Sequence, residues 1–207
     1  IIDNIRYLID REVDKDLRIY CLANLLVKSS IHNNTSGVFK GFHKKEGIGH
    51  FGGKGENALS RIKGEINLEP LIFSDVDCNT QVYSTDTNKL IREIDNVDLA
   101  YFDPPYNQHP YGSNYFMLNL INNGVPGKIQ DGVSGIVVDW QRSDYNKTQS
   151  AVNAMDELIK HTRAKYILIS YNNEGIIPFD KFKEIIDSYG TWDLLEQEYN
   201  TYRGSRN

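Results

Sequence analysis

Apolar residues at Ile2, Ile5, Leu8 and Ile9 recur at the spacing of one helix face, and the run from Leu17 to Val27 stays apolar and helix-prone. The first 30 residues therefore predict two helices. From Gly37 the periodicity stops. GVFKGFHKKEGIGHFGGKGENALSRIK, at 37–63, is dense in glycine and lysine and has room only for a short helical piece near 56–62, which predicts a loop-dominated insertion. Beyond it, QVYS at 81–84 predicts a strand, TNKLIREI at 87–94 a helix, and DLAYF at 98–102 a buried strand followed by a long polar loop to about Tyr145. KTQSAVNAMDELIKHT at 147–162 has the stripe of an amphipathic helix. KYILIS at 165–170 predicts an apolar strand, FDKFKEIIDSYG at 179–190 a helix stopping at glycine, and TWDLLEQEYNTY at 191–202 a closing strand. Strands alternating with helices predict an α/β layer architecture with a mostly parallel sheet. In such sheets ligands gather at the carboxyl ends of the strands. The pattern divides the chain into N-terminal helices (1–36), a glycine/lysine-rich insertion (37–80) and a core (81–207).

Composition narrows the classes of function more than it changes this outline. At 207 residues the chain can bury a real core. Its net charge of −5 advertises no polyanion partner for the chain as a whole, so any nucleic-acid surface must be a local basic patch. Cys21 and Cys78 match neither a metal-ligand spacing nor a disulfide framework, which suits a reducing interior. The five histidines, at 32, 43, 50, 109 and 161, form no ligand motif, and no metal is expected. No apolar run approaches the roughly 20 residues that cross a bilayer, and the charged start is unlike a secretory signal. The expectation is a cytoplasmic protein that does not engage membranes.

The chemistry concentrates in LAYFDPPYNQHPYGSNY, at 99–115, where an acid, two prolines and a tyrosine end the apolar run. Two consecutive prolines fix two φ angles and remove two N–H donors, so nearby carbonyls face little local competition. The carboxylate of Asp103 and the carbonyl of Pro104 would make a pair of acceptors about one amino group wide. An exocyclic NH2 is the natural guest. The N6 amine of adenine is a poor nucleophile because its lone pair is delocalised into the ring. Taking both hydrogens from one side favours a tetrahedral nitrogen whose lone pair can attack an activated methyl group. Tyr106 offers a face for stacking a planar base, worth about 1–3 kcal/mol in single-strand binders. An amine paired inside a duplex must first be flipped out.

DLAYFDPPY resembles the catalytic motif of adenine-specific DNA N6-methyltransferases that depend on S-adenosylmethionine. The likeness extends to a subgroup of restriction-modification methylases through IDNIR (2–6), NNTSGVFKGFHKK (33–45), NQHPYGSNY, RSDYN (142–146), SYNNEGIIP (170–178) and YRGSRN (202–207), and so covers most of the chain. The resemblance implies a partial Rossmann-like methyltransferase sheet, an α/β fold, with a loop-rich basic insertion. It places Asp103, Pro104 and Tyr106 at the amine-binding and base-stacking positions, with Pro105 shaping the turn. It assigns the cofactor's surroundings to Asp86 and Phe102, and the target-base pocket to Tyr171 and Asn172. Tyr111, Asn114 and Tyr115, which follow the turn, are candidates for holding the displaced base or filling the gap it leaves, packing against the sheet edge being the simpler alternative. In the resembled subgroup a glycine loop precedes IDNIR, whereas GIGHFGGKG at 47–55 has no strand before it. The chain is therefore expected to be a fragment that binds cofactor poorly and is inactive alone.

Duplex DNA is the partner implied, possession of a cognate restriction endonuclease being a further expectation. Between Lys40 and Lys63 six basic residues face Glu46 and Glu56, a local excess of four positive charges. Lysines among glycines suit a loop that follows phosphates, and a solvated loop is the simpler alternative. Lys40, Lys44, Lys45, Lys54, Arg142, Arg203 and Arg206 are the candidate phosphate contacts. Two further functions stay open: methyl transfer to another amine, on cytosine N4, RNA or protein glutamine, and DNA binding without catalysis. By resemblance to families with a related turn, the acid at 103 favours adenine N6 or occasionally cytosine N4.

Overall fold

The computed structural model describes residues 1–32, 39–41, 44–46, 48–49, 62–124, 140 and 142–198. The chain divides into two compact units, Ile1–Cys78 with Tyr111–Gln141 and Asn79–Pro110 with Arg142–Asn207.

In the first unit, α1 (Ile2–Glu12) and α2 (Arg18–Ile31) form as the periodicity predicts. Asp3 in the first turn of α1 and Arg11 in its last complement the helix dipole. Residues 44–45 (β1) and 48–49 (β2) make a small antiparallel hairpin turned at Glu46, whose φ is 53°. The predicted helical piece at 56–62 lies almost wholly outside the described residues. Two elements correct the sequence reading of a polar loop after residue 102: α4 (Tyr111–Asn114) and α5 (Phe116–Asn123). Gly124 closes α5 at φ 71°, its N–H bonded to the Leu120 carbonyl at 2.8 Å. This is the left-handed conformation that glycine adopts at little cost. Ile9, Leu25 and Phe116 are buried, one from each of α1, α2 and α5. The Arg6 guanidinium ties α1 to the end of α5, donating to the carbonyls of Ile121 at 3.0 Å and Asn122 at 3.2 Å.

In the second unit, α3 (Thr87–Leu90) starts at Asp86, whose side chain accepts from the Lys89 N–H at 3.0 Å. It loosens into turns after one helical turn, so the helix expected to residue 94 is shorter. Strand β3 (Val97–Phe102) pairs in parallel with β4 (Ala164–Ile169), from Val97 opposite Ala164 to Phe102 opposite Ile169. Between them α6 (Thr148–His161) presents Ala151, Met155, Leu158 and Ile159 to the core, a stripe at helical spacing. After β4, α7 (Phe179–Asp187) adds Phe182 and Ile185. These side chains, with Ile91, Tyr145 and Ile177, form one buried cluster against which Phe102 and Ile169 pack.

The strand at 97–102 departs from the buried strand expected there. Paired residues of a parallel ladder share a face, and one face carries Leu99, Tyr101, Tyr166 and Leu168, which are 57%, 58%, 62% and 51% exposed. The opposite face, with the buried Ala100 beside Phe102 and Ile169, meets the helices. A parallel sheet ordinarily has layers on both faces; among the described residues only one face has its layer. The predicted strands at 81–84 and 191–202 are not present among the described residues. Residues 81–84 and 191–198 are irregular, and neither pairs with a described strand. No helix of the described residues is long and apolar enough to cross a membrane, and among them no cluster of three or more histidine, cysteine, aspartate or glutamate side chains could hold a metal ion.

Candidate active site

The DPPY turn leaves the carboxyl end of β3, next to the segment that leaves the carboxyl end of β4. Backbone polarity around the turn is heavily used on both sides. The Phe102 carbonyl accepts from Ser170 N–H at 2.9 Å, and the Tyr106 carbonyl from Ile176 N–H at 2.8 Å. The Asn107 carbonyl accepts from the side-chain amide of Asn146 at 2.7 Å. Between these fixed points, no hydrogen bond among the described residues ends on the carbonyls of Asp103, Pro104 or Pro105. Asp103 is exposed, Pro104 buried, Pro105 half-buried and Tyr106 39% exposed. A carboxylate in water, a proline anchored in the protein and an accessible ring thus occupy four consecutive positions.

The loop beyond β4 is shaped around Tyr171. Its ring packs on Phe182 with centroids 4.9 Å apart, and its hydroxyl accepts from Ile177 N–H at 3.0 Å. Burial raises the Tyr171 pKa above the ordinary tyrosine value, the two backbone donors at Ile177 and Ile176 acting the other way. Asn172 caps its own turn, its side-chain oxygen accepting from Glu174 N–H at 2.7 Å and its carbonyl from Gly175 N–H at 2.9 Å. A Cβ on Gly175 would lie 2.7 Å from Tyr171 Cζ and 2.8 Å from the Asn172 carbonyl oxygen. Only glycine fits there. Tyr171 and Asn172 therefore build the wall beside the DPPY turn, with the tyrosine facing the core.

RSDYN supplies a support whose role the motif alone does not reveal. Asp144–Asn146 is a 3-10 turn with a capping box: Ser143 Oγ accepts from Tyr145 N–H at 3.3 Å, and Asn146 Oδ1 accepts from Ser143 N–H at 3.2 Å. Tyr145 is buried, and its hydroxyl lies 2.9 Å from Asn88 Oδ1 and 3.0 Å from the Ala154 carbonyl. Burial pushes the Tyr145 phenol well above its ordinary range, with Asp86 and Asp144 adding to the rise. The signal that could have found these residues is the capping-box pairing of Ser143 with Asn146, read beside a polar loop that needs an anchor.

The other expected site residues are distributed as follows. Asp86 is exposed and commits one oxygen to capping α3; Phe102 packs on the core. Tyr111, Asn114 and Tyr115 belong to the first unit. There Tyr115 stacks on Phe39 at 6.0 Å and meets Tyr111 at 5.8 Å, and the Asn114 carbonyl accepts from Phe39 N–H at 2.8 Å. Lys40 is half-buried and Arg142 exposed. Lys44 and Lys45 form β1, while Lys54, Arg203 and Arg206 lie outside the described residues.

Residues 2–185 match the family described as D12 class N6 adenine-specific DNA methyltransferase. The chain is similar to the type II methyltransferase M.NlaIII of Neisseria lactamica, with 32% identity over 95% of this chain and 54% of that protein. It is similar to the modification methylase StsI of Streptococcus sanguinis, with 30% identity over 89% of this chain and 27% of the relative. Type II methyltransferase M.CviAII of Paramecium bursaria Chlorella virus 1 is 27% identical over 98% of this chain and 57% of its own length. The chain thus spans 27% to 57% of the length of these relatives. No solved structure gives a significant match. A family match running from α1 to α7 includes the strand tip, the turn and both of its supports, and the chain belongs to the D12 class N6 adenine-specific DNA methyltransferases.

Proposed function

We propose that the protein transfers a methyl group from S-adenosylmethionine to the N6 amine of a flipped adenine at a specific site in duplex DNA. The observation that supports this most is the backbone accounting at the turn. Carbonyls 102, 106 and 107 are occupied by protein donors, while those of Asp103 to Pro105 meet none among the described residues and Asp103 stands in solvent. An amino group donating one hydrogen to the Asp103 carboxylate and the other to the Pro104 carbonyl would be held from one side. Its lone pair would then point away from both acceptors. The cofactor, when bound, would supply the methyl group and keep the electron pair of the broken methyl–sulfur bond as a neutral thioether. The fourth bond at nitrogen makes the amine cationic and acidic, and one proton passes to the carboxylate or to water, restoring a neutral secondary amine. Tyr106 would hold the base plane by stacking.

Of the cofactor's surroundings the described residues offer Asp86 and Phe102, and these alone do not make a cradle, one being engaged as a helix cap and the other packed on the core. The Rossmann-like architecture is part of the same proposal, supported by the parallel β3–β4 pair with helices on one face. The relatives' names, type II methyltransferase and modification methylase, support a place in a restriction-modification system, in the cytoplasm, opposite a cognate endonuclease. Lys40, Lys44, Lys45, Lys54, Arg142, Arg203 and Arg206 are proposed to meet phosphates, and Tyr111, Asn114 and Tyr115 the displaced base. Full-length protein incubated with duplex DNA and methyl-tritiated cofactor should place label in N6-methyladenine, and Asp103→Ala should lower the rate by at least about 100-fold with duplex binding retained. Label appearing in RNA or protein instead, or an Asp103→Ala variant as fast as the parent, would overturn the reading.

A further inference from the structure

We infer that Asn146 is a positioning residue for methyl transfer: its side-chain amide sets the placement of the DPPY turn through the Asn107 carbonyl. The inference rests on the reading of that turn as the amine-binding site. Asn146 is 39 positions from Asn107 in sequence and buried, and its side chain is used from both ends. The oxygen accepts from Ser143 N–H at 3.2 Å and the nitrogen donates to the Asn107 carbonyl at 2.7 Å.

Three features make this contact a tether and not an incidental bond. The 3-10 turn that carries Asn146 is anchored to its neighbours, because the buried Tyr145 hydroxyl reaches both α3, at Asn88, and α6, at Ala154. The loop that receives the bond has few backbone donors to offer: Pro104 and Pro105 donate nothing, and the Asn107 side-chain oxygen is taken by His109 N–H at 2.9 Å. On the other side the Tyr106 carbonyl is held by Ile176 N–H. Asn146 and Ile176 thus grip adjacent carbonyls at the far end of the turn, while Ser170 grips the Phe102 carbonyl at the near end. With both ends gripped, the path of residues 103–105 is fixed at its two ends. Releasing one grip lets the turn shift, and a displacement of about 1 Å at a reacting group can lower a rate about 100-fold.

Asn146→Asp separates the two halves of the side chain, keeping an oxygen for the Ser143 cap and removing the donor to Asn107. In the full-length protein it should lower kcat about 100-fold, leave KM for duplex DNA and for cofactor within about threefold, and raise hydrogen exchange at the amides of 107–109 at least tenfold. Ser143→Ala loses the cap bond to Tyr145 N–H but keeps the tether, and should leave kcat within about threefold and exchange at 107–109 unchanged. Unaltered exchange at 107–109 in Asn146→Asp, or equal loss of kcat in both variants, would overturn the inference. The exchange readout needs no turnover, so an inactive parent protein would sink the proposed function while leaving the tether decided by exchange.

Discussion

At the scale of single residues, the second unit depends on phenols kept neutral. Tyr145 is buried with its hydroxyl between Asn88 and the Ala154 carbonyl, and its pKa is raised chiefly by that burial. A raised folded pKa means that the folded chain holds its proton more tightly than the unfolded chain. The stabilisation is complete below the ordinary tyrosine value near 10 and is lost as pH climbs from there toward the folded value. Tyr171 shifts in the same direction. Tyr145→Phe should therefore flatten the fall of Tm above pH 10, and at neutral pH should cost about 1–2 kcal/mol through the unpaired Asn88 oxygen. Thermal melts of both proteins from pH 7 to 11 check it; parallel curves would show that Tyr145 is not the alkaline trigger. Asp103 and Tyr106 are legible as candidates because acid–proline–proline–aromatic is a local pattern. The bond from Asn146 to the Asn107 carbonyl is not, because what an amide side chain bonds depends on a loop brought to it by the fold.

At the scale of elements, the strands at 97–102 and 164–169 and the helices at 148–161 and 179–187 were legible, since each carries its own apolar run or stripe. QVYS was not, because a short β-prone segment becomes a strand only beside a partner; Val82 and Tyr83 lie exposed instead. FMLNLINN was misread as loop. Its asparagines mask a helix whose signal is Phe116 with Leu120 one turn on and Gly124 at the stop. The loop after β4 shows the reverse case, a conformation set by one absent side chain. Gly175→Ala would drive a methyl group into the Tyr171 ring and the Asn172 carbonyl. Backbone cannot yield as cheaply as a side chain, so the variant should lose about 1–3 kcal/mol of stability. Its Tyr171 ring should also detach from Phe182, seen as changed near-ultraviolet circular dichroism. A variant with the parent's Tm and spectrum would show that the loop has slack.

At the scale of the whole molecule, each unit has its own buried centre, Leu25 with Ile9 and Phe116 in one and the α6–α7 cluster in the other. Arg6 contributes to the first unit in a way the helix pattern did not announce, its guanidinium closing carbonyls at the end of α5 where a cation also opposes the helix dipole. The match to the D12 class spans both units. The uncovered side of the β3–β4 ladder carries a practical cost. Leu99, Tyr101, Tyr166 and Leu168 put a greasy strip in contact with water, and such strips adhere to dyes, to detergent and to one another. The 207-residue chain handled by itself should light up 8-anilinonaphthalene-1-sulfonate while still natively folded, and Leu168→Lys should dim that fluorescence without lowering Tm. Anyone purifying it should expect stickiness to set the usable concentration well before unfolding does.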